Sequence, residues 1–346
     1  MKTETPKKKR LYIKIGNEKF YGGESKKSML EIASLYDFTK LYIPIEVIRG
    51  TKSGSTLFIS AAIHGDELNG VEIIKRVLQK LKSRTIRGTL IVVPVVNIFG
   101  FNTRSRYLPD RRDLNRCFPG NAKGSLGARL AHIFMKEIVS KCSHGIDLHT
   151  GSIHLNNLPQ IRACLDHPET DELARFFGVP VVIDSKLRDG SLREAGRKRK
   201  VTTLLYEGGE ALRFDENVIR VGVRGCLSVM RQIGMLPKSE NKPVPNTKKV
   251  YVAKGDYWVR APHSGSCRFL KKIGDEAARG EAIAIISDLF GSHAVNVTTE
   301  SDGIIVGLRT LPLVNRGDAM AHIATFTDRK KVKRAIALDT TDSTED

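Results

Sequence analysis

The sequence contains no apolar run that approaches the roughly 18–20 residues needed to cross a membrane. Its five cysteines are scattered and include no Cys-x-x-Cys pair, which is typical of a reducing compartment and argues against a thiolate zinc site. The N-terminal residues 1–10 are polar and basic with no apolar segment behind them, so we expect no secretory signal. These absences together predict a cytoplasmic protein without a membrane partner.

Acidic residues are scarce relative to basic ones, 38 against 57, and the formal net charge is +19. A charge of this size fits either a nucleic acid partner or a small anionic substrate drawn in by the electric field of the protein. The chain shows no zinc-finger spacing and no RNA-binding motif of aromatic residues and glycines, which disfavours nucleic acid. Most of the basic clusters are therefore interpreted as solvated surface.

Apolar strand patterns alternate with amphipathic helix patterns through the first two thirds of the chain. Strands are predicted at residues 56–63, 90–96, 145–149, 161–165, 179–183 and 201–206, and helices at residues 71–81, 126–142, 170–177 and 216–233. This alternation predicts an α/β catalytic domain over residues 11–236, with a mostly parallel or mixed sheet flanked by helices on both faces. Ligands of such sheets bind beyond the carboxyl ends of the strands.

The remaining chain divides into four further segments by its composition. We expect a disordered basic lead at residues 1–10, a proline-containing linker at 237–247, a small all-β, barrel-like domain at 248–328 and a flexible tail at 329–346. Residues 11–44 carry short β-like pieces and are candidates for packing against the C-terminal β domain.

Residues 59–70 (ISAAIHGDELNG) join an apolar strand to a helix pattern and carry His64 and Glu67. His149 ends a second apolar strand far downstream. Two imidazoles and one carboxylate at strand tips would make an open three-ligand site for a divalent metal such as zinc. Asp147 is placed to orient a histidine from behind, or to pair with a basic residue. The alternative is that the His-x-x-Glu pair is purely structural.

A long loop at residues 97–124 is rich in arginine, and loops of this length inside a compact domain are usually functional. A guanidinium near a metal can stabilise a developing oxyanion, and another can grip a carboxylate with two hydrogen bonds. Arg106, Asn115 and Arg116 are the candidates for these tasks. The other arginines of the loop are interpreted as solvated.

Two carboxylates follow the strand predicted at residues 201–206 and compete for the role of general base. Glu207 directly follows the strand and is itself followed by two glycines, and Glu210 lies further away. A carboxylate at the strand tip could take a proton from the attacking water.

Four short motifs resemble, in this order, the succinylglutamate desuccinylase and aspartoacylase family, a branch of the zinc carboxypeptidase fold. They are His64-Gly-Asp-Glu67, Asp113-Leu-Asn-Arg116, Asp147-Leu-His-Thr150 and Glu207-Gly-Gly209, and the resemblance covers residues 45–235. It implies one zinc ion (Zn2+) per chain, held by His64, Glu67 and His149.

The same resemblance implies roles for other residues of the site. Arg106 would be the oxyanion arginine, with Arg104 as its rival, and Glu207 would be the general base and acid. Asn115 and Arg116 would hold the substrate carboxylate. Just beyond the metal histidine, Asn156, Asn157 and Arg162 are candidates for defining the substrate pocket, whereas His154 is interpreted as a surface or outer histidine.

The C-terminal region has a resemblance of its own. Residues 273–280 (IGDEAARG) and 302–306 (DGIIV) are similar to biotinyl and lipoyl carrier barrels. The turn that would carry the modified lysine lies near residues 287–290 and has no lysine. We therefore expect the carrier fold without the carrier role.

These observations predict a zinc-dependent deacylase that hydrolyses the amide bond of a small anionic N-acylated amino acid or related amine, through a water activated by the metal. The enzyme alternative is a metallocarboxypeptidase acting on peptides or glutamyl tails. The alternative of another class is a binding protein for an anion or a nucleic acid without catalysis. The identity of the acyl group and the amine stays open, as does assembly into a homo-oligomer.

Overall fold

A computed structural model describes residues 11–81, 86–238 and 250–341 of the chain. The strands are β1 (Tyr12–Ile15), β2 (Glu18–Tyr21), β3 (Ser25–Ser34), β4 (Lys40–Arg49), β5 (Lys52–Ala61), β6 (Arg87–Val93), β7 (His144–His149), β8 (Leu155–Ala163), β9 (Val181–Asp184), β10 (Thr202–Gly209), β11 (Tyr251–Ala253), β12 (Gly255–Arg260), β13 (Gly265–Phe269), β14 (Glu276–Ala277), β15 (Ala282–Ser287), β16 (Ala294–Thr298), β17 (Gly303–Arg309), β18 (Leu313–Val314) and β19 (Ala319–Thr325). The helices are α1 (Asn69–Leu81), α2 (Ile98–Thr103), α3 (Leu126–Glu137), α4 (Pro168–Phe177), α5 (Leu192–Lys198), α6 (Glu216–Gln232) and α7 (Arg329–Thr341).

The centre of the molecule is a mixed sheet whose parallel core is formed by β6, β5, β7 and β10. Antiparallel strands extend this core on both sides, β4 next to β6 and β8 next to β10. Helices α1, α4 and α6 cover one face, and α3 and α5 cover the other. The prediction of a mixed sheet with helices on both faces is confirmed.

Strand β5 shows why its sequence reads as an uninterrupted apolar run. Leu57 and Ile59 pack into the core on the α1 side, whereas Phe58 packs into the core on the α3 side. Successive side chains of a strand point to opposite faces, so a strand covered on both faces needs apolar residues at every position. The carboxyl ends of β5, β7 and β10 consequently meet at one buried edge.

The C-terminal strands continue the central sheet and also form a smaller sheet of their own. Strand β17 pairs with β8, and β19 and β12 follow in order, so the large sheet has thirteen strands within the described parts of the chain. Strands β16, β15, β13 and β18 form a second sheet of four strands. These strands agree with the prediction of an all-β domain, and its closure into a barrel stays a prediction.

One predicted domain relation needs correction. Residues 11–44 do not pack with the β domain: β3 and β4 form the edge of the large sheet that is opposite to β12, and the hairpin β1–β2 packs beside them through Ile15 and Phe20. Beyond the predicted boundary at residue 248, β11 pairs in parallel with β9 of the catalytic region, and the boundary itself stays a prediction. Residues 1–10 and most of the predicted linker lie outside the described residues.

The predicted loop at residues 97–124 contains helix α2 and a 3₁₀ turn at Leu114–Arg116. Asn97 starts α2 by accepting a hydrogen bond from the backbone N–H of Gly100, and Asp113 starts the turn by accepting one from Asn115. Helix α5 was missed altogether. Both helices are too short to show a helical periodicity in the sequence.

Helix α7 replaces much of the predicted flexible tail. Its charged sequence hides a single apolar stripe, in which Val332 and Ile336 pack against Leu158 of β8 and Ile304 of β17. Among the residues that the structure describes, no helix is long and apolar enough to cross a membrane.

The docking of α7 predicts a stability effect. Val332→Asp should lower the free energy of unfolding by about 3 kcal/mol, because it places an unpaired carboxylate at a fully buried site. The matched control is Lys330→Asp at an exposed position of the same helix, which should change stability by less than about 0.5 kcal/mol. Chemical denaturation measures both, and equal stability of the two variants would contradict the docked helix.

Candidate active site and metal centre

His64, Glu67 and His149 converge at the buried carboxyl edge of the sheet. Their ligand atoms all lie within 4.8 Å of one another, and each residue is buried. Nδ1 of His64 lies 2.7 Å from Oε1 of Glu67, and Nδ1 of His149 lies 2.7 Å from Oε2 of the same carboxylate. The three side chains predicted as metal ligands are therefore brought together by the fold.

The turn that carries His64 and Glu67 depends on a glycine. A Cβ atom at Gly65 would lie 1.9 Å from the carbonyl carbon of Gly100 in α2, which no real side chain tolerates. Strand β5 can thus pass directly under α2 before it turns into α1. This close approach fixes the first two candidate ligands in the pocket beside the arginine loop.

A carboxylate stands behind each histidine. Nε2 of His64 lies 3.0 Å from Asp113 Oδ1, and Nε2 of His149 lies 2.8 Å from Asp147 Oδ2. Asp147 is itself held by a hydrogen bond from the Ser60 hydroxyl. When a carboxylate accepts a hydrogen bond from Nε2–H, the proton of the neutral imidazole stays on Nε2. Nδ1 then keeps its lone pair for a metal.

Several carboxylates lie close together at this edge of the sheet, and their negative charge favours a positive charge nearby. Burial opposes charge on His149, but Asp147 and Glu67 outweigh it and raise the pKa of His149 well above its usual value. Burial also opposes the ionisation of Glu67, yet the two histidines hold the pKa of Glu67 well below its usual range. The site is thus built to hold positive charge, whether as imidazolium protons or as a bound cation.

The residues present fit a zinc ion. Two imidazole nitrogens and one carboxylate are the ligand set of many catalytic zinc sites, and outer carboxylates commonly support the histidines. Beside Glu67, the buried Oδ1 of Asp66 has no hydrogen-bond partner among the described residues, which also favours a cation nearby.

Arg106 reaches the same centre from the arginine loop. Its guanidinium donates to Glu67 Oε1 at 3.2 Å and to Asp113 Oδ2 at 3.0 Å, and its side chain lines the pocket. The rival Arg104 is exposed at the end of α2 in a left-handed backbone conformation and does not line the pocket. Geometry therefore favours Arg106 over Arg104 for any role at the metal.

Asn115 and Arg116 follow on the 3₁₀ turn and also line the pocket. The Asn115 side-chain oxygen accepts a hydrogen bond from the backbone N–H of Leu192, at the start of α5. An Arg116 guanidinium nitrogen donates to the Asn115 carbonyl oxygen at 2.6 Å. The turn is thereby tied to α5 and held at the pocket rim.

Glu207 lies beside His149, because the two residues are register partners on the parallel strands β10 and β7. Asn157 donates its side-chain N–H to Glu207 Oε2 at 2.7 Å. The competing Glu210 instead accepts hydrogen bonds from the Thr310 hydroxyl and from the backbone N–H of His154, outside the pocket. Geometry thus favours Glu207 as the carboxylate that could accept a proton from a metal-activated water.

Nine of the residues predicted for the site line one cavity of about 470 Å³, whereas the further pocket candidate Asn156 does not line it. Sequence reasoning did not single out several other lining residues, and Arg188, Arg193, Trp258 and His322 are among them. Trp258 and His322 belong to the C-terminal strands β12 and β19, and their rings stack at 4.5 Å between centroids. The motifs in the sequence gave no signal for them, since they enter the pocket only through long-range strand pairing.

The far side of the cavity is strongly basic. Burial, and then the neighbouring Arg162, lowers the pKa of Arg193 to about 10. Arg193 donates to the Arg162 carbonyl and to the Ser185 hydroxyl, neither of which carries charge. The buried Nε of Arg162 has no hydrogen-bond partner among the described residues. The carboxylate of Asp256 lies 3.9 Å from Arg162 and is engaged by His322, and the charge of Glu207 also acts on Arg193.

Comparison with known proteins identifies the family of this chain. The family model described as the succinylglutamate desuccinylase/aspartoacylase catalytic domain matches residues 53–233. The chain belongs to this family. Its motif resemblance is thereby confirmed.

Among individual members of the family, the N-alpha-acetyl-L-2,4-diaminobutyric acid deacetylase of Halomonas elongata is 28% identical over 297 residues. The alignment covers 82% of this chain and 85% of that protein. The two proteins therefore correspond over most of their lengths.

Solved structures of the family share the fold. The succinylglutamate desuccinylase/aspartoacylase of Rhodobacter sphaeroides superposes with a TM-score of 0.77 at 24% identity, covering 88% of this chain and 95% of that one. The product-bound ectoine utilization protein EutE (DoeB) of Ruegeria pomeroyi gives 0.77 at 22% identity, with coverages of 87% and 95%. At this level of identity the likeness speaks for the architecture only.

Proposed function

We propose that the protein is a cytoplasmic zinc-dependent deacylase that hydrolyses the amide bond of a small, anionic N-acylated amino acid or related amine. One observation carries the proposal: a two-histidine, one-carboxylate cluster shares a pocket with a register-paired glutamate and an arginine. The family membership supports it, as does the deacetylase activity named for the Halomonas relative.

The residues divide the chemistry among themselves. A zinc ion held by His64, Glu67 and His149 would supply a Lewis acid that makes water acidic and the carbonyl electrophilic. Glu207 takes the proton of the attacking water and later passes it to the leaving amine. Arg106 donates hydrogen bonds to the oxygen that becomes negative.

Substrate binding falls to other groups that line the pocket. Asn115 and Arg116 grip the carboxylate of the amino acid, Arg116 by charge and Asn115 by its amide. Asn157 and Arg162 were predicted as substrate ligands, and Arg162 keeps this role at the basic far side. The C-terminal side chains Trp258 and His322 wall that side, which favours a small substrate over the peptide tail of a carboxypeptidase.

The decisive experiment couples metal analysis to a hydrolysis screen. We expect about one zinc per chain and turnover of an N-acetyl, N-succinyl or N-acyl diamino acid, with short peptides left intact. Cleavage of peptides from the carboxyl end would favour the carboxypeptidase alternative. Protein that binds no metal but binds nucleic acid in a salt-sensitive way would favour the binding-protein alternative.

The basic far side predicts a preference for substrates with a second negative group. A substrate carrying an extra carboxylate should have a higher kcat/KM than its analogue carrying an extra amine, because the three arginines Arg162, Arg188 and Arg193 line that side. They outnumber the two carboxylates near them, Asp256 and Glu207. Arg162→Leu should lower kcat/KM for the doubly acidic substrate by about 10- to 100-fold, the loss of one or two charged hydrogen bonds. The amine-bearing analogue should lose less.

The control for this prediction is Arg197→Leu, because Arg197 pairs with Asp166 on the exposed side of α5. It should leave both kcat/KM values unchanged. A wild-type enzyme that prefers the amine-bearing analogue, and keeps that preference in Arg162→Leu, would contradict an anionic substrate.

A further inference from the structure

Asn157 lies between the candidate base and the C-terminal strands. It sits on β8, which pairs with β10 on one side and with β17 on the other. The residue is buried, and its side-chain N–H donates to Glu207 Oε2 at 2.7 Å. Its amide nitrogen is thus committed to a neighbouring side chain of the protein, although the sequence pointed to substrate binding.

Gly307 is the register partner of Asn157 on β17, and it makes room for that side chain. A Cβ atom at Gly307 would lie 2.8 Å from Asn157 Oδ1 and 3.1 Å from the Cβ of His322. The first separation is shorter than real Cβ contacts. Strand β17 is held by backbone hydrogen bonds to β8 on one side and to β19 on the other, so it cannot easily move. The steric clash would therefore be relieved most easily by rotation of the Asn157 side-chain amide away from Glu207.

We propose that Asn157 and Gly307 are positioning residues for Glu207, so that the C-terminal strands complete the catalytic geometry as well as walling the pocket. The inference rests on the proposed function of Glu207 as general base. A carboxylate tied at one oxygen loses much of its rotational freedom, so its other oxygen can meet the attacking water in a fixed geometry. Asn157 itself needs no contact with substrate or metal.

The register of the sheet explains why this contact is available. Glu207 faces Gln160 across β8, but after a bulge Gly209 faces Asn157. The bulge shifts the pairing of β10 by one residue near its end, which re-aims side chains at that point. Asn157 can therefore reach a carboxylate that is not its direct register partner.

Substitution of Asn157 tests the proposal directly. Asn157→Asp keeps the shape but replaces the donor with a second carboxylate, and Asn157→Ala removes the group. We expect kcat to fall by about 10- to 100-fold in both, the usual cost of a misplaced catalytic group, while KM changes by less than about threefold. Zinc content should stay at the wild-type level.

A pH profile separates positioning from a merely structural role. In Asn157→Asp the acid limb of kcat should move to higher pH, because adjacent carboxylates disfavour each other's negative charge. Asn157→Ser, which retains a short donor, should recover part of the lost kcat. The matched control is Asn156→Asp, since the neighbouring side chain points to the opposite face of β8 and does not line the pocket.

Gly307→Ala tests the second half of the proposal without touching either hydrogen-bonded residue. It should lower kcat by about tenfold or more, and a crystal structure should show the distance from Asn157 Nδ2 to Glu207 lengthened beyond hydrogen-bond range. Gly255→Ala is the control in the same region, because a Cβ there would meet only Thr325 Oγ1 at an ordinary 3.6 Å. It should keep the wild-type kcat.

The outcomes are distinguishable. If the wild-type protein hydrolyses substrate while Asn157→Asp, Asn157→Ala and Gly307→Ala keep its kcat, the positioning role is wrong and the proposed function stands. If these variants raise KM with kcat unchanged, Asn157 binds substrate instead. If zinc-loaded wild-type protein has no hydrolytic activity at all, both the proposed function and this inference fall.

Discussion

Glu207→Ala is expected to bind zinc as well as the wild-type protein and to lose nearly all hydrolysis. The carboxylate lies outside the three-ligand cluster, so its removal takes away no metal ligand. It is nevertheless the register partner of His149 and lines the same cavity. Loss of a group proposed to move a proton twice in one turnover should reduce kcat by about 100- to 10,000-fold.

The chain offers a matched control three residues away. Glu210→Ala removes a carboxylate of the same segment that binds Thr310 and the backbone of His154 outside the cavity. It should reduce kcat by less than about threefold, with a small loss of stability from the broken hydrogen bonds. Steady-state kinetics and zinc analysis on both variants decide the matter. Retained turnover in Glu207→Ala would sink the assignment of the base.

The candidate metal centre was visible in the sequence because parallel strands bring their carboxyl ends to one edge. His64, His149 and Glu207 each lie at or near the end of a strand pattern, so topology alone predicts that they meet. One position needed no distant contact to be interpreted, because Asp147 lies two residues from the histidine that it supports.

The rest of the pocket could not be read in this way. Trp258 and His322 reach the cavity because β17 pairs with β8 and β19 with β17, and neither pairing leaves a local mark in the chain. Arg193 belongs to a helix of seven residues, whose basic sequence resembles solvated surface. Helix α7 was hidden in the same way, since its few buried residues are outnumbered by lysines and arginines.

Asn157 shows how the two kinds of information combine. Its place just beyond the metal histidine indicated a pocket residue, which it is, but the partner of its side chain could not be known. Both the register shift between β8 and β10 and the approach of Gly307 had to be seen first. The sequence therefore predicts which residues form the site, and the sheet register indicates which residues hold the candidate base Glu207 in position.

His149→Ala is expected to abolish both zinc binding and hydrolysis, because it removes one of three ligands from a buried cluster. His154→Ala, at an exposed histidine five residues away, should do neither. Zinc content measured after dialysis and kcat measured on the same samples compare the two. A zinc-loaded and active His149→Ala would show that the metal is bound elsewhere.

Asp147→Asn extends this test to the group behind the ligand. One carboxylate oxygen of Asp147 accepts a hydrogen bond from the Ser60 hydroxyl, and the other lies 2.8 Å from His149 Nε2. An asparagine at this position can still accept from Ser60 with its oxygen, while its amide nitrogen donates to Nε2. That bond would force the histidine proton onto Nδ1, the atom that faces Glu67. Zinc affinity should fall by about 10- to 100-fold, and excess zinc should restore activity. Excess zinc cannot replace a missing ligand as readily, so the same addition should leave His149→Ala inactive. Rescue of both variants alike would contradict the assigned His149 tautomer, in which Nε2 carries the proton.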